Sequence, residues 1–168
     1  MKKRRSFSLV EIIIVMAIIG IISIGAFVLI APYKTLKLDA AAKKIAADLQ
    51  YARNLALTTS EWYGVSFNTD PTNSYTVYKT DGTIDTITED PSRLGKNFIV
   101  NLNEIYKGVI LKSVDISGGR QIEFHPLGKP YDDHNGLAIT ATGTISVEYS
   151  GSAKTIIITP NTGEISIQ

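Results

Sequence analysis

A long apolar segment near the N-terminus constrains this chain more than any other feature. Residues 12–31 contain no charged side chain, and twenty residues in an α-helix extend about 30 Å, which is the hydrocarbon thickness of a bilayer. Basic residues from Lys2 to Arg5 precede the segment, so the positive-inside rule places the N-terminus in the cytoplasm. The sequence therefore predicts one transmembrane helix over residues 7–31.

Glu11 is an ionisable residue at the start of this apolar segment. A charged side chain at the centre of a membrane helix costs about 2.5–3.5 kcal/mol, and it is by default a functional candidate. A secretory signal peptide would have an apolar core of only about 7–15 residues and then a cleavage site between small residues, whereas this run is longer and no Ala-x-Ala follows it. An ordinary membrane anchor would explain the length and the basic flank but not Glu11.

The string SFSLVE, from Ser6 to Glu11, resembles the class III leader of type IV pilins and pseudopilins. In that family a short basic leader is cut before a Phe and a Glu stands at the fifth mature position; the residue before the cut is usually Gly, where this chain has Ser6. The resemblance implies that prepilin peptidase removes residues 1–6 and N-methylates Phe7. It also implies an assembly salt bridge between Glu11 and the Phe7 amine of an adjacent subunit. The alternative is a carboxylate that is simply favoured by the helix macrodipole.

A second helical pattern follows the apolar segment. Pro32 predicts a kink, because proline removes a backbone hydrogen bond. Residues 32–60 then form the amphipathic half of the same long helix, in which small alanines allow close packing on a sheet, and Thr58 to Ser60 mark its end. Its apolar residues recur at spacings of three and four and are Leu38, Ala41, Ala42, Ile45, Leu49, Ala52, Leu55 and Ala56.

Residues 61–168 change to a period of two and are rich in β-branched and aromatic residues, as expected of strands. Asp81-Gly82 is the strongest hairpin signal, and Thr88–Lys96 is predicted to be a loop. Short strands separated by such turns indicate a β-sandwich, so the fold class is α+β, with the long helix packed on an antiparallel β-sandwich. The predicted strands are 61–67, 74–80, 83–88, 97–102, 109–116, 120–124, 137–140, 144–150, 154–160 and 164–168.

Three further strings carry a resemblance to one subfamily of the pilin-like proteins. They are AADLQYARNLAL at residues 46–57, IEFHPLGKP at residues 122–130 and KTIIITPNTGEISI at residues 154–167. They resemble type II secretion system protein H and the pilus-associated minor pilins. The resemblance implies a minor pseudopilin that helps initiate or cap the periplasmic pseudopilus. The alternatives are a minor pilin of a type IV pilus, with a role in DNA uptake, and a membrane-anchored binding domain that works alone.

Composition and motifs argue against several other functions. Without the leader cations, 13 Lys and Arg remain against 16 Asp and Glu, so no basic field favours nucleic acid. Residues 161–168 contain an acid and no base, which also disfavours a DNA receptor. His125 and His134 are the two histidines, there is no cysteine, and no nucleophile-elbow, Walker or zinc-protease motif is present. We therefore expect no enzymatic activity and no cofactor.

The loop from Tyr131 to Gly136 clusters oxygen ligands, but its carboxylates are adjacent and lack the spacing and the distal Glu of an EF-hand. A solvated turn is the prediction, and no metal site is assigned. The family resemblance further implies other pseudopilins or pilins, the prepilin peptidase and the inner-membrane assembly platform as partners. It places the protein in the inner membrane as a single-pass protein, with a cytoplasmic N-terminus and a periplasmic or extracellular domain.

Overall fold

The computed structural model describes residues 8–28 and 30–168, with side chains for residues 8–22 and 35–168. Two helices open the chain, α1 (Leu9–Val28) and α2 (Ile30–Thr59). The chain divides into two compact units, Met1–Thr35 and Leu36–Gln168.

The helices of the described residues were also compared with the length and apolarity that a membrane crossing requires. Within the described ranges, none is both long and apolar enough to cross a membrane. The transmembrane character of residues 7–31 therefore stays a prediction.

Helix α2 buries one face, and it is the face that the sequence predicts. Ile45, Leu49, Ala52 and Ala56 are fully buried, and Leu55 is half-buried against the same core. Alanine is the best helix former and adds little bulk, so the alanine-rich stripe favours both the helix and its close packing. The helix ends at Thr59, as predicted.

The larger of the two main sheets has six strands, which run in the order β3-β2-β1-β8-β9, with β6 paired to β2. All of these pairs are antiparallel. The strands are β1 (Trp62–Asn68), β2 (Ser74–Thr80), β3 (Asp85–Ile87), β6 (Ile99–Asn101), β8 (Gln121–Phe124) and β9 (Pro130–Tyr131). Thr80 pairs with Asp85, so the hairpin predicted at Asp81-Gly82 is confirmed, with a four-residue connection.

The second main sheet has four antiparallel strands in the order β12-β11-β10-β7. They are β7 (Ile110–Asp115), β10 (Gly143–Tyr149), β11 (Ser152–Ile158) and β12 (Ile165–Ile167). A short helix, α3 (Leu102–Ile105), precedes β7. One hydrophobic cluster contains residues of α2 and of both sheets, among them Leu49, Phe124 and Ile145. The predicted combination of a helix with an antiparallel β-sandwich is thus confirmed.

Two local predictions are wrong. Residues 88–96, predicted as a loop, contain the paired strands β4 (Glu89–Asp90) and β5 (Arg93–Asn97). Asp90 holds their turn, because its carboxylate accepts hydrogen bonds from the Ser92 amide at 2.8 Å and from Arg93 Nε at 2.7 Å.

Residues 137–140 do not form the predicted strand. Ala138 makes only an isolated bridge with Tyr131. The amide of Leu137 donates instead to Asp132 Oδ1 at 2.8 Å. The side chain of a turn residue therefore takes the hydrogen bond that a ladder would otherwise use.

Candidate functional site

Helix α1 presents an apolar surface that is exposed within its own unit. Leu9, Met16 and Ile21 are each more than 70% exposed. Large exposed apolar patches mark surfaces that lipid or other proteins cover. Glu11 lies in the first turn of this helix and is exposed, and its amide donates to the Ser8 carbonyl at 3.0 Å. A carboxylate at this position is also favoured by the helix macrodipole.

The other predicted site residues fall partly outside the described structure. Ser6 and Phe7, at the predicted cleavage and methylation site, lie outside the described residues, so the pairing of Glu11 with a Phe7 amine stays a prediction. Pro32 is the third residue of α2. Its side chain is not described, and the kink also stays a prediction.

Arg53 on α2 joins two distant turns of the β domain. Its Nε donates to the Gly128 carbonyl at 3.1 Å, and its Nη2 donates to the Thr162 carbonyl at 2.9 Å. These three residues come from the three strings that carry the subfamily resemblance. The planar fork of a guanidinium suits two acceptors at once, so one side chain connects the end of α2 to both turns.

The two turns meet closely, which explains their glycines. Gly128 and Gly163 both have positive φ, at 76° and 66°. A Cβ on Gly163 would lie 2.7 Å from the Gly128 carbonyl oxygen. Only glycine fits this approach without a backbone shift.

Asp39 connects α2 to β11 through an ion pair. Its carboxylate lies 2.7 Å from Lys154 Nζ and 2.6 Å from Lys43 Nζ. Hydrogen bonds from Lys154 and then Lys43 lower the pKa of Asp39 to about 2. Lys154 is therefore engaged by Asp39.

A buried polar group fixes α2 against β2. Asp48 is buried, and it accepts hydrogen bonds from the Tyr75 hydroxyl at 2.5 Å and from Lys44 Nζ at 2.7 Å. Burial raises the pKa of Asp48, although both hydrogen bonds oppose the shift. Burial also raises the pKa of Tyr75, so the phenol stays neutral and donates. The sequence pattern showed Asp48 only as a polar residue of an amphipathic helix.

Both histidines pack on Trp62, at the start of β1. The Trp62 ring centroid lies 4.8 Å from that of His125 and 4.3 Å from that of His134, and Tyr131 joins the cluster at 5.0 Å. Nδ1 of His125 accepts a hydrogen bond from the Leu127 amide at 3.0 Å. His125 therefore holds the turn that Arg53 contacts, as a structural histidine does.

The predicted oxygen-rich loop is held by hydrogen bonds within its own turn and from β8. Asp133 Oδ1 accepts from the Asn135 amide at 2.9 Å, and Asp133 Oδ2 accepts from Gln121 Nε2 at 3.2 Å. Over residues 8–28 and 30–168, no group of three or more His, Asp or Glu residues is arranged to hold a metal ion.

Two family models match the chain, at positions that agree with this geometry. Residues 1–27 match the prokaryotic N-terminal methylation motif. Residues 41–163, which cover more than half of the chain and include Arg53 and both of the turns that it contacts, match the type II transport protein GspH. The chain belongs to the GspH family. The predicted resemblance to type II secretion protein H is thereby confirmed.

Solved structures show the fold that this GspH family member shares. The minor pseudopilin EpsH from the type 2 secretion system of Vibrio cholerae is 13% identical with a TM-score of 0.57, and the match covers 79% of this chain and 96% of EpsH. The type IV minor pilin FimU of Pseudomonas aeruginosa is 14% identical with a TM-score of 0.54, over 80% of this chain and 90% of FimU. No match was found among curated proteins.

Sequence reasoning missed most of the residues that hold the GspH family domain together. The strings that resemble the family contain Arg53, Asp48 and Gly163. The spacing of these residues does not show what they contact. One signal was available: Arg53 and the glycines of two turns all lie in the three strings that resemble the family. That co-occurrence could have suggested a shared contact.

Proposed function

We propose that this protein is a minor pseudopilin, a structural subunit that helps initiate or cap the periplasmic pseudopilus of a type II secretion system. The observation that carries this proposal is the match of residues 41–163 to the type II transport protein GspH. The fold shared with the minor pseudopilin EpsH supports it. A structural rather than enzymatic role is consistent with the histidines, since both pack on Trp62 and His125 holds a turn.

Maturation is the first step of the proposed role. The prepilin peptidase cleaves between Ser6 and Phe7 and methylates the new amino group of Phe7. The match of residues 1–27 to the N-terminal methylation motif supports this step, because it includes both residues. The mature protein resides in the inner membrane as a single-pass protein, with its N-terminus cytoplasmic and its β domain periplasmic.

Assembly is the second step, and α1 supplies the surface for it. Its exposed apolar side chains are covered first by lipid and then by the helices of other pseudopilins, with the inner-membrane assembly platform acting between the two states. Moving such a surface from lipid to protein costs little, because lipid tails and apolar side chains are similarly apolar. Packing and polar contacts then decide which helices associate.

Glu11 provides the polar contact in this proposal. Its carboxylate pairs with the cationic Phe7 amine of an adjacent subunit, since opposite charges attract more strongly as the dielectric falls. The pair sets the axial register of the incoming subunit. Two features support this assignment: Glu11 is exposed on α1, and it is the fifth residue counted from Phe7.

The experiment compares Glu11→Gln with Glu164→Gln in the native host. Glu164 is an exposed acid in the last turn of the chain, so its replacement controls for the loss of one negative charge. We expect both variants to be inserted, cleaved after Ser6 and methylated, as measured by intact mass. Only Glu11→Gln should lose cross-linking to other pseudopilins and lower secretion.

Normal secretion and cross-linking by Glu11→Gln at wild-type levels would show that the carboxylate is only tolerated near a helix end. A mature N-terminus other than Phe7 would refute the proposed maturation. Glu11 lies in the unit Met1–Thr35, and the β domain lies in the unit Leu36–Gln168.

A minor pilin of a type IV pilus is the second candidate function. The TM-score with the minor pilin FimU is 0.54, and that with the minor pseudopilin EpsH is 0.57. Structural similarity therefore favours the pilin function nearly as much as the pseudopilin function. Deletion of the gene separates them: loss of an exported protein supports the pseudopilin, whereas loss of surface pili or of DNA uptake supports the pilin. A binding domain that works alone would affect neither and would not co-purify with other pilin-like proteins.

A further inference from the structure

The six-stranded sheet carries a hydrogen-bonded pair of polar side chains, Tyr78 and Glu123, on the face away from α2. Gly64 in β1 pairs with Tyr78 on one side and with Glu123 on the other. A Cβ on Gly64 would lie 2.4 Å from Cζ of Tyr78, so the tyrosine ring crosses β1 directly over the glycine. Its hydroxyl donates to Glu123 Oε1 at 2.7 Å.

The carboxylate of Glu123 is only half satisfied. The residue is 3% exposed, and its Oε2 is buried with no hydrogen-bond partner among the described residues. Leaving a buried acceptor unpaired destabilises the fold, and the cost is larger when the acceptor is charged. Glu123 also lines a cleft, so a molecule bound there could supply the hydrogen-bond donor that Oε2 lacks.

The cleft beside Glu123 is small and acidic. It has a volume of about 210 Å³ and is lined by polar residues of the β2–β3 turn, of β8 and of the loop after β9. Asp85 and Asp133 also line it. Burial raises the pKa of Glu123, and the carboxylates of Asp133 and Asp85 raise it further. Asp85 and Asp133 form no ion pair with a described Lys or Arg residue, so these two carboxylates make the cleft negative.

His134 closes one side of the cleft. Its ring lies against Gly82, where a Cβ would approach its Cδ2 to 2.4 Å, and it packs on Trp62. Its Nδ1 is buried and also lacks a partner among the described residues. The site thus combines an aromatic wall, a negative field and two unsatisfied buried polar atoms.

We propose that this cleft binds an organic cation that carries N–H groups, an ammonium or a guanidinium, which donates to Oε2 of Glu123. The negative field selects a cation, and the unpaired oxygen selects an N–H donor over a quaternary ammonium. The volume suits the end of a Lys or Arg side chain and is below that of pockets for larger ligands, about 300–1,000 Å³. The described residues offer no metal-binding group here.

The cation has two sources, a side chain of a neighbouring protein or a free amine. The site lies wholly within the unit Leu36–Gln168 and stands independently of the role of α1. A failure of this proposal would leave the proposed function intact, and the reverse also holds.

The experiment uses the full chain in detergent micelles and its single tryptophan. Trp62 lies 4.3 Å from His134, so its fluorescence reports on the cleft, and the backbone amide shifts of Gly82 and Asn135 provide a second readout. We expect a saturable change with methylguanidinium. Tetramethylammonium, which has the charge but no N–H, should need at least a tenfold higher concentration.

The variants test the assigned acceptor. Glu123→Gln should raise the half-saturating concentration of methylguanidinium at least tenfold, while Glu104→Gln, an exposed acid on α3, should leave it unchanged. Unfolding curves establish that each variant is folded. If Glu123→Gln is unfolded, the double variant Asp85→Asn with Asp133→Asn tests the field through two exposed residues, and it should weaken binding at least threefold.

Several results would overturn the proposal. They are the absence of saturation in both readouts, equal responses to the two cations, unchanged binding in the variants, or saturation by calcium chloride without a response to methylguanidinium. A photo-reactive residue at the exposed Thr83 distinguishes the sources in cells. An adduct with another protein that requires Glu123 identifies a partner side chain, whereas binding in micelles without such an adduct identifies a free amine.

Discussion

Truncation of Leu49 to alanine tests whether α2 and the sheets share one core. Leu49 is 0% exposed and belongs to the cluster that draws on α2 and both sheets. The change removes three carbon atoms, which are worth about 2.4 kcal/mol at about 0.8 kcal/mol each. The cavity that remains adds to this cost, and measured Leu→Ala changes range over about 2.7–5 kcal/mol. We therefore expect a loss of about 3–4 kcal/mol in the free energy of unfolding.

The matched control is Leu36→Ala, the same change in the same helix at a position that is 65% exposed. It alters helix propensity equally but should cost less than about 1 kcal/mol, because surface substitutions rarely cost more. Thermal unfolding of the full chain, followed by Trp62 fluorescence, should show a midpoint lower by roughly 10 °C for Leu49→Ala. Equal midpoints for the two variants would refute the burial of this helix face.

Two further predictions concern the ties between α2 and the β domain. Arg53→Ala should lower the free energy of unfolding by about 1–3 kcal/mol through loss of both carbonyl contacts. Arg53→Lys should restore less than half of this loss, because one ammonium cannot span the two turns. Full rescue by Lys in a denaturant titration would contradict the role of the two-donor guanidinium. The pKa of Asp39 is depressed to about 2, so its pairing with Lys154 stabilises the fold above the unfolded-state pKa near 4 and this stability is lost as the pH falls towards 2. Unfolding midpoints of wild type and Asp39→Asn should therefore differ at pH 7 and converge as the pH falls from about 4 to below about 2. An undiminished difference well below pH 2 would exclude the ion pair as its cause.

Local pattern alone determined the elements whose signal is periodic. The buried face of α2, its end at Thr59 and most strands of both sheets follow from spacing, because burial on one side imposes a period of 3.6 or 2 on the residues themselves. The turn at Asp81-Gly82 is equally local, since its chemistry lies within a few residues. The strings that resemble the family also sufficed to predict the α+β fold and membership of the GspH family, both of which were confirmed.

The two failures show where local pattern is insufficient. In residues 88–96 the side chain of Asp90 builds a turn that lets two short strands pair, and in residues 137–140 the side chain of Asp132 takes an amide from a would-be strand. In both cases hydrogen bonds to one carboxylate side chain outweigh the weak propensity of a short segment. Propensity spreads over many residues, whereas such a bond acts at one position.

Only the tertiary structure decided which polar groups meet. Arg53 reaches partners 75 and 109 residues away, and Tyr78 reaches Glu123 across a strand that is free of a side chain at Gly64. No spacing in the sequence encodes these pairs, because sheet order and register place them together, and those depend on the packing of the whole domain. The local sequence therefore specified the helices and strands of this protein. The order and register of the strands in the folded sheet placed Glu123 in a buried position beside the cleft.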